Sequence, residues 1–590
     1  MRTAARRSGS LLAAALAAVA LAATTVVPAA AAGRTSPPGA TESQDTAETL
    51  AVREAASTGK PVEVLAKRGE SSDTVAQPDG RLMTTTYVQP KRVRKNGAWV
   101  DLDPTLQALP GGAVAPKGAT ADLEFSGGGS APLVRMARAG KELKLSWPKP
   151  LPKPTINGAT AEYASILPDV DLRLSATKTG FTQVVVVHTA AAAKNPELDQ
   201  LRLGLQGKGL TIRQETDGTL KAVDPSGGGT VFEAPVPVMW DSSGPTAPAQ
   251  AGTAPAQGAP ATAPAAPAAA PKALKAAPAP QARSAEQAPQ APAAPQAQAP
   301  DAAGQGDLPG EGAKMTRLKV ELPKDTMVLT PDQAMLDDPG TVYPVMIDPA
   351  WNTPKASDWA GVSRTYPNQS YWHFTYNSNY VHDWGVGYCG DTSRCAPTDV
   401  KRAFFQIPNG SFVGKQILSA EFGTYESWSY SCDARPVELW STGYIAPGVN
   451  WNSQNASGFW SRYLQTINTA KGWSGNCPGG WLEYGGTSGG VKDLVQDAAN
   501  WGWPTITFGL KAQNEGDTLA WKRFTDDAFL RVYYNLRPNQ IPMSDMTMSP
   551  GSVCQYPGIR INRMPQVTTR ATDPDGEAIG VQFAVGWDDG

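Results

Sequence analysis

Apolar and polar residues alternate with a period of two along several short stretches between about residues 341 and 535. Successive side chains of a strand point to opposite faces, so this alternation predicts strands that bury one face. The stretches with this pattern are residues 402–407, 417–425, 505–512 and 528–534. The apolar residues of 491–498 follow helical spacing instead, which predicts one short amphipathic helix. Short strands, Gly- and Pro-rich turns and one small helix predict an all-β fold with a sandwich of two antiparallel sheets.

The order of these elements resembles that of a known family. The pieces that carry the resemblance are, in order, residues 402–407, residues 417–422, Val437-Glu-Leu-Trp440, Asn450-Trp-Asn452, the helix at 491–498, Gly509-Leu-Lys-Ala512 and Leu530-Arg-Val-Tyr-Tyr534. This series resembles the DNRLRE-type jelly-roll module, which is classed with carbohydrate-binding modules. The resemblance implies a jelly roll over residues 350–536 and a carbohydrate ligand.

A second β region precedes this module. Leu201, Leu203 and Leu205 alternate with polar residues, and Asp217-Gly218 is a hairpin signal. Residues 245–313 are dominated by Ala, Pro and Gln and predict a disordered, partly polyproline-II spacer. Alternation returns at 314–349, in residues that lack the Trp and Cys of the aromatic module.

This N-terminal half also resembles a known region. The residues that carry the likeness are Gly97-Ala-Trp-Val-Asp-Leu-Asp103, Phe125-Ser-Gly-Gly128, Ser146-Trp-Pro148, Leu167-Pro-Asp-Val-Asp-Leu172, Pro237-Val-Met-Trp-Asp241 and Tyr343-Pro-Val-Met-Ile-Asp-Pro349. They resemble the amino-terminal region of large secreted bacterial proteins with LamG-like jelly rolls or RHS-type repeats downstream. The resemblance attaches no activity to this region. It implies that the strands at 237–241 and 343–349 belong to one continuous region, so we predict that the spacer is inserted into one β domain made of residues 61–243 and 314–349.

Such an insertion is tolerable because closing a long loop costs little extra entropy. The strands at 318–322 and 343–347 should then pair with strands before residue 244.

The two ends of the chain carry further expectations. Residues 1–32 have Arg residues, an apolar run at 11–23 and a small-residue site at Ala30-Ala31-Ala32, which indicates a secretory signal. Residues 33–60 lack a strand pattern and predict a mobile lead-in or a loose helix. Residues 539–590 resemble the opening strands of an immunoglobulin- or fibronectin-like domain without its closing strands. We therefore expect the sequence to be a fragment of a longer secreted or cell-surface protein.

Charge and cysteine usage narrow the classes of partner. The chain has 52 Lys and Arg against 54 Asp and Glu, and it has no basic stripe of the kind that binds nucleic acid. No segment after the signal is apolar enough to cross a membrane. Four of the five Cys lie in the aromatic module, and an exported chain favours disulfides over zinc. We predict bonds Cys389–Cys395 and Cys432–Cys477 and no metal or cofactor. We expect Cys554 to be unpaired within this chain.

The search for catalytic motifs is mostly negative. The three His are His188, His373 and His382, and no nucleophile elbow, HExxH motif or P-loop accompanies them. A glycoside hydrolase needs only two carboxylates at a suitable separation and stays an alternative. Its candidate carboxylates in the aromatic module are Glu421, Glu426, Glu438 and Glu483. On strands of a small sandwich, however, such residues more often face solvent, so we predict a protein that is not an enzyme.

The aromatic content points to a binding function. Residues 341–535 hold 13 of the 17 Trp of the chain. Flat aromatic rings bury apolar area against sugar rings, while polar groups around them bind the hydroxyls. The candidate glycan-binding residues are Tyr371, Trp372, Tyr376, Trp384, Trp428 and Tyr430. Two alternatives stay open: these rings fill the sandwich interior, or the chain is a structural N-terminal segment of a larger wall-associated protein without a ligand of its own.

Overall fold

The computed structural model describes residues 46–243, 313–374, 383–392, 395, 397–536, 538–550, 563–573 and 579–583. The described part consists mainly of antiparallel strands, which confirms the predicted all-β fold. The predicted signal peptide, nearly all of the Ala/Pro-rich spacer, Tyr376, His382 and Cys554 lie outside these residues.

The first described segment belongs to the jelly roll and not to the N-terminal β domain. Its elements are α1 (Ala47–Thr58), β1 (Val62–Glu63), β2 (Ser72–Ala76) and β3 (Leu82–Tyr87). The helix begins at Thr46, whose side chain caps it, and buries Ala51, Val52 and Ala55 in the jelly-roll interior. Of the two expected alternatives, a mobile lead-in or a loose helix, the structure shows a helix from residue 47, and it is packed because its small apolar residues share one buried face. Strand β3 hydrogen-bonds to a strand more than 400 residues later, so this pairing leaves no local signal in the sequence.

A separate two-stranded sheet of β4 (Arg92–Lys95) and β5 (Ala98–Asp101) follows. Residues 103–243 and 313–352 form an N-terminal sandwich. Its strands are β6 (Asp103–Ala108), β7 (Val114–Gly118), β8 (Asp122–Phe125), β9 (Val134–Arg138), β10 (Lys141–Ser146), β11 (Thr155–Asn157), β12 (Thr160–Leu167), β13 (Val170–Ala176), β14 (Gly180–Val187), β15 (Leu201–Lys208), β16 (Thr211–Gln214), β17 (Leu220–Asp224), β18 (Gly229–Ala234), β19 (Val238–Trp240), β20 (Met315–Arg317), β21 (Lys319–Glu321), β22 (Thr326–Thr330), β23 (Val345–Ile347) and β24 (Ala350–Asn352), with the short helix α2 (Gln333–Asp337) before β23. One sheet has the order β21-β22-β15-β10-β9-β8-β7-β6 and the other contains β11-β12-β13-β14-β24-β18-β17-β16 with β19, β20 and β23. Aliphatic side chains of both sheets share one core.

Strands on the two sides of the spacer pair with each other. Strand β20 pairs with β19, β22 pairs with β15, and β23 pairs with both β14 and β19. The predicted pairing with strands before residue 244 is therefore confirmed for β23, the strand at 343–347. Strand β21, at 318–322, pairs instead with β22, which connects it to β15. Strand β24 also pairs with β14 and β18, so this sandwich extends to Asn352, slightly beyond the expected boundary at residue 349.

The described residues from 358 to 535 form the rest of the jelly roll. Its strands are β25 (Asp358–Ser363), β26 (Tyr371–Trp372), β27 (Asp383–Cys389), β28 (Asp399–Pro408), β29 (Gln416–Ser429), β30 (Arg435–Thr442), β31 (Trp460–Thr469), β32 (Gly480–Gly486), β33 (Thr505–Ala512) and β34 (Lys522–Asn535), and its helices are α3 (Trp451–Gln454) and α4 (Gly490–Trp501). In the first sheet β34 lies between β29 and the pair β3/β27, and β32 follows β29. The second sheet has the order β26-β25-β28-β33-β30-β31. Strand β27 joins both sheets, because its start pairs with β34 and its end with β28.

The two sheets of the jelly roll enclose one aromatic and aliphatic core. Phe422 of the first sheet stacks on Phe508 of the second, with ring centroids 4.5 Å apart. The apolar side of α4, with Val491, Leu494 and Val495, covers one end of this core, as its helical spacing predicts. Since β3 and β25 belong to the same sandwich, the N-terminal sandwich is inserted between two strands of the jelly roll.

The last described elements are two antiparallel strands, β35 (Met546–Ser549) and β36 (Gln566–Thr569). The immunoglobulin-like or fibronectin-like character of residues 539–590 stays a prediction.

Candidate functional site

Two disulfides tie together one end of the jelly roll. Cys389 is bonded to Cys395 and Cys432 to Cys477, with Cα–Cα distances of 6.1 Å and 5.9 Å, and both predicted pairings are confirmed. The second bond joins the segment after β29 to the loop before β32. It therefore fixes the loop at 470–479 beside the end of β29.

Three aromatic side chains meet at this end, and we call Trp428, Tyr430 and Trp473 the aromatic shelf. The indole of Trp473 lies 6.3 Å from the ring of Tyr430 in a stacked arrangement and 5.9 Å from Trp428, edge to face. Trp428 and Tyr430 are partly buried against Trp521 and the Cys389–Cys395 bond, whereas Trp473 is 42 % exposed. The Tyr430 hydroxyl donates to Oδ2 of Asp391 at 3.1 Å. Two of the predicted binding residues therefore lie in one partly exposed cluster.

A buried carboxylate accepts a hydrogen bond from the loop that carries Trp473. Glu426 is fully buried and accepts a hydrogen bond from the Lys471 backbone N–H at 3.0 Å and another from the Thr469 hydroxyl. Burial raises the pKa of the Glu426 carboxyl. Burial also lowers the pKa of the neighbouring Lys522 ammonium, while the charge of Glu426 opposes that change. The position of the shelf therefore depends on the hydrogen bonds of the Glu426 carboxylate inside the sandwich.

Trp384 is not a surface residue, which corrects the interpretation of the sequence. It is 1 % exposed, and its Nε1 donates to the Arg402 carbonyl at 3.0 Å. Its ring lies so close to Gly361 that a Cβ there would overlap the indole. The ring of Tyr371 lies 4.4 Å from the same ring in a tilted arrangement and packs, partly buried, against the jelly-roll core. Trp384 therefore fills the interior, as one of the open alternatives proposed, and Tyr371 packs against it.

Trp372 lies on the opposite face of the second sheet from Tyr371, because neighbouring strand residues point to opposite faces. Its ring stacks on His373 at 4.6 Å, and His373 stacks on Trp359 at 4.4 Å. Nε2 of His373 lies 2.8 Å from Oδ1 of Asp358. Burial, aided by the charge of Lys355, lowers the pKa of His373 to about 4. This stack is separate from the shelf, so the predicted residues do not form one surface.

The four candidate carboxylates have structural partners. Glu421 and Glu483 both approach Nη1 of Arg531, at 3.1 Å and 3.5 Å. Glu426 supports the loop before β32, and Glu438 accepts from Nε1 of Trp440 at 2.9 Å. His188 lies 2.7 Å from Asp171 in the N-terminal sandwich, far along the chain from these groups. These contacts account for each carboxylate as an ion-pair or hydrogen-bond partner.

Trp473 is the shelf residue that the sequence interpretation missed. It lies four positions before Cys477, whose predicted bond to Cys432 already placed this loop beside the strand of Trp428. An aromatic residue inside a disulfide-closed loop next to a candidate binding strand was therefore the available signal.

Within the described residues, no three His, Cys, Asp or Glu side chains are grouped so as to hold a metal ion. The described helices are also too short or too polar to cross a membrane. The chain matches no protein-family model and no curated protein.

Proposed function

We propose that the chain is a non-catalytic, secreted or cell-surface modular protein that attaches to extracellular glycans. The observation that carries this proposal is the aromatic shelf, where an exposed Trp473 stacks beside Tyr430 and Trp428 on a support fixed by two disulfides. Rigid aromatic rings lose little conformational entropy when they bind, and disulfides stabilise proteins in oxidising compartments. The resemblance of the module to the DNRLRE-type family supports the same ligand class.

The polar surroundings of the shelf also favour a sugar over a purely apolar ligand. Asp391 accepts from the Tyr430 hydroxyl, and the side chain of Ser474 lies within 3.8 Å of the Cys477 sulfur at the rim. Binding sites for small polar ligands commonly combine an apolar surface with a few polar groups that fix orientation. The shelf offers this combination on a surface that the loop at 470–479 keeps in place.

The test is retention of the full chain on insoluble polysaccharides, with Trp473→Ala as the main variant. Loss of one stacking ring is expected to weaken retention by about 1–3 kcal/mol, by analogy with aromatic stacking of nucleic-acid bases. Trp501→Ala is the matched control, because Trp501 is 78 % exposed at the end of α4 and lies outside the shelf. If the wild-type chain is retained on no polysaccharide, the attachment function is wrong and a structural role without a ligand takes its place.

A further inference from the structure

A second aromatic surface lies on the outer face of the second sheet of the jelly roll. We call it the ladder face, and it consists of Arg402, Glu438, Trp440, Trp460, Tyr463 and Lys511. These residues come from four adjacent strands, β28, β33, β30 and β31. In the strand register Lys511 lies opposite Glu438, and Trp440 lies opposite Tyr463. The face therefore runs across the strands and is carried by different strands from the aromatic shelf.

Cations and rings alternate along the ladder face. Nζ of Lys511 lies 4.4 Å from the ring centre of Trp440 and 5.2 Å from that of Trp460. The guanidinium carbon of Arg402 lies 5.2 Å from the ring centre of Trp460. Trp460 rests directly on the sheet, because a Cβ at Gly509 would lie 2.9 Å from its Cζ3. Cation–ring contacts of this kind fix the orientation of each indole.

Each cation of this region has a carboxylate partner. Lys511 lies 3.6 Å from Glu438, and Arg402 makes two bonds of 2.8 Å to Glu515. The paired charges leave no net field of one sign over the rings. A surface without net charge does not favour an acidic or basic ligand over a neutral one.

The outer end of the ladder face is open. Tyr463 is 49 % exposed, and its ring stands edge to face against Trp440 at 5.6 Å. Its hydroxyl lies 3.0 Å from that of Thr466, so polar groups border the exposed ring. We propose that the ladder face is a second glycan-binding surface, which takes a neutral polysaccharide chain across the strands independently of the aromatic shelf. This proposal extends the proposed function to a second surface of the same module.

The test is affinity electrophoresis of the full chain in gels that contain soluble β-glucan, xylan or mannan, with polygalacturonate as the acidic comparison. Tyr463→Ala should weaken binding to a neutral polysaccharide roughly tenfold or more, as the loss of one stacking ring does. Tyr463→Phe keeps the ring and should bind like the wild type. Tyr444→Ala is the matched control, because it removes a Tyr that is 69 % exposed and outside the ladder face. The double variant Trp473→Ala/Tyr463→Ala should bind more weakly than either single variant.

The outcomes separate this proposal from the function proposed for the shelf. If Tyr463→Ala binds like the wild type and Trp473→Ala binds weakly, the ladder-face proposal is wrong and the shelf proposal stands. The reverse result overturns the shelf and supports the ladder face. Stronger retardation by polygalacturonate than by all three neutral polysaccharides overturns the neutral ligand class. Absence of retardation in every gel overturns both proposals.

Discussion

Acid should weaken the jelly roll through His373. Its ring is stacked between Trp359 and Trp372 and lies beside Asp358, and burial together with the charge of Lys355 lowers its pKa to about 4. In an unfolded chain a histidine has a pKa of about 6.5. The unfolded state therefore binds a proton more readily, and the stability that neutral His373 contributes is present above about pH 6.5 and is lost as the pH falls through about 4.

The size of this effect follows from the difference between the two pKa values. A shift of about 2.5 units at about 1.4 kcal/mol per unit gives about 3 kcal/mol of unfolding free energy lost between pH 7 and pH 4. The assay is urea denaturation followed by tryptophan fluorescence, which reports mainly the jelly roll because 12 of the 17 Trp lie in residues 358–535. Carboxylates also titrate in this range, so the measured quantity is the difference in pH dependence between two proteins.

The variant that isolates this effect is His373→Asn. The backbone of His373 has φ 49°, a left-handed conformation that Asn tolerates better than most residues. The variant loses ring stacking at every pH, but its stability should fall less between pH 7 and pH 4 than that of the wild type, by about 3 kcal/mol. Equal pH dependence of the two proteins would show that His373 is not held neutral, and the reasoning from its burial would fail.

Three further predictions concern how the jelly roll is held together. Residues 341–536 expressed alone lack Val52, Val64, Leu82 and Val88 of its core and should lose roughly 6–12 kcal/mol of stability; cooperative unfolding with unchanged stability would contradict the role of residues 46–88. Removing the Cys432–Cys477 bond with serine at both positions should cost about 4 kcal/mol from the entropy of a loop with sequence separation 45, and an unchanged melting temperature would oppose this. Glu426→Ala should cost about 3 kcal/mol, because it removes the acceptor for the Lys471 N–H and the carboxylate near buried Lys522. Glu426→Gln, which keeps an acceptor oxygen, should lose clearly less in the same thermal unfolding measurement, and equal losses would refute the hydrogen-bond argument.

The strands of both sandwiches could be predicted because their alternation is local. Residues 505–512 bury Ile506, Phe508 and Leu510 on one face, as their period of two predicts. The pairing of β23 across the spacer could also be predicted, because the segments at 237–241 and 343–349 share one family resemblance. The pairing of β3 with β34 could not, because a strand carries no mark of which distant sheet edge it joins.

The candidate site shows the same division between local and long-range information. The cysteines predicted which loop lies beside Trp428, because two bonds within one module left few arrangements. Exposure of individual rings could not be predicted from aromatic content. Trp384 points inward because Gly361 on the neighbouring sheet leaves space for its indole, and that space exists only after folding.

The central claim, that the aromatic shelf binds a glycan, is tested most directly by titration calorimetry of the full chain with the polysaccharide that retains it best. We expect saturable binding whose free energy weakens by about 1–3 kcal/mol in Trp473→Ala and is unchanged in Trp501→Ala. Equal affinity of Trp473→Ala and the wild type, with both proteins folded, would contradict it.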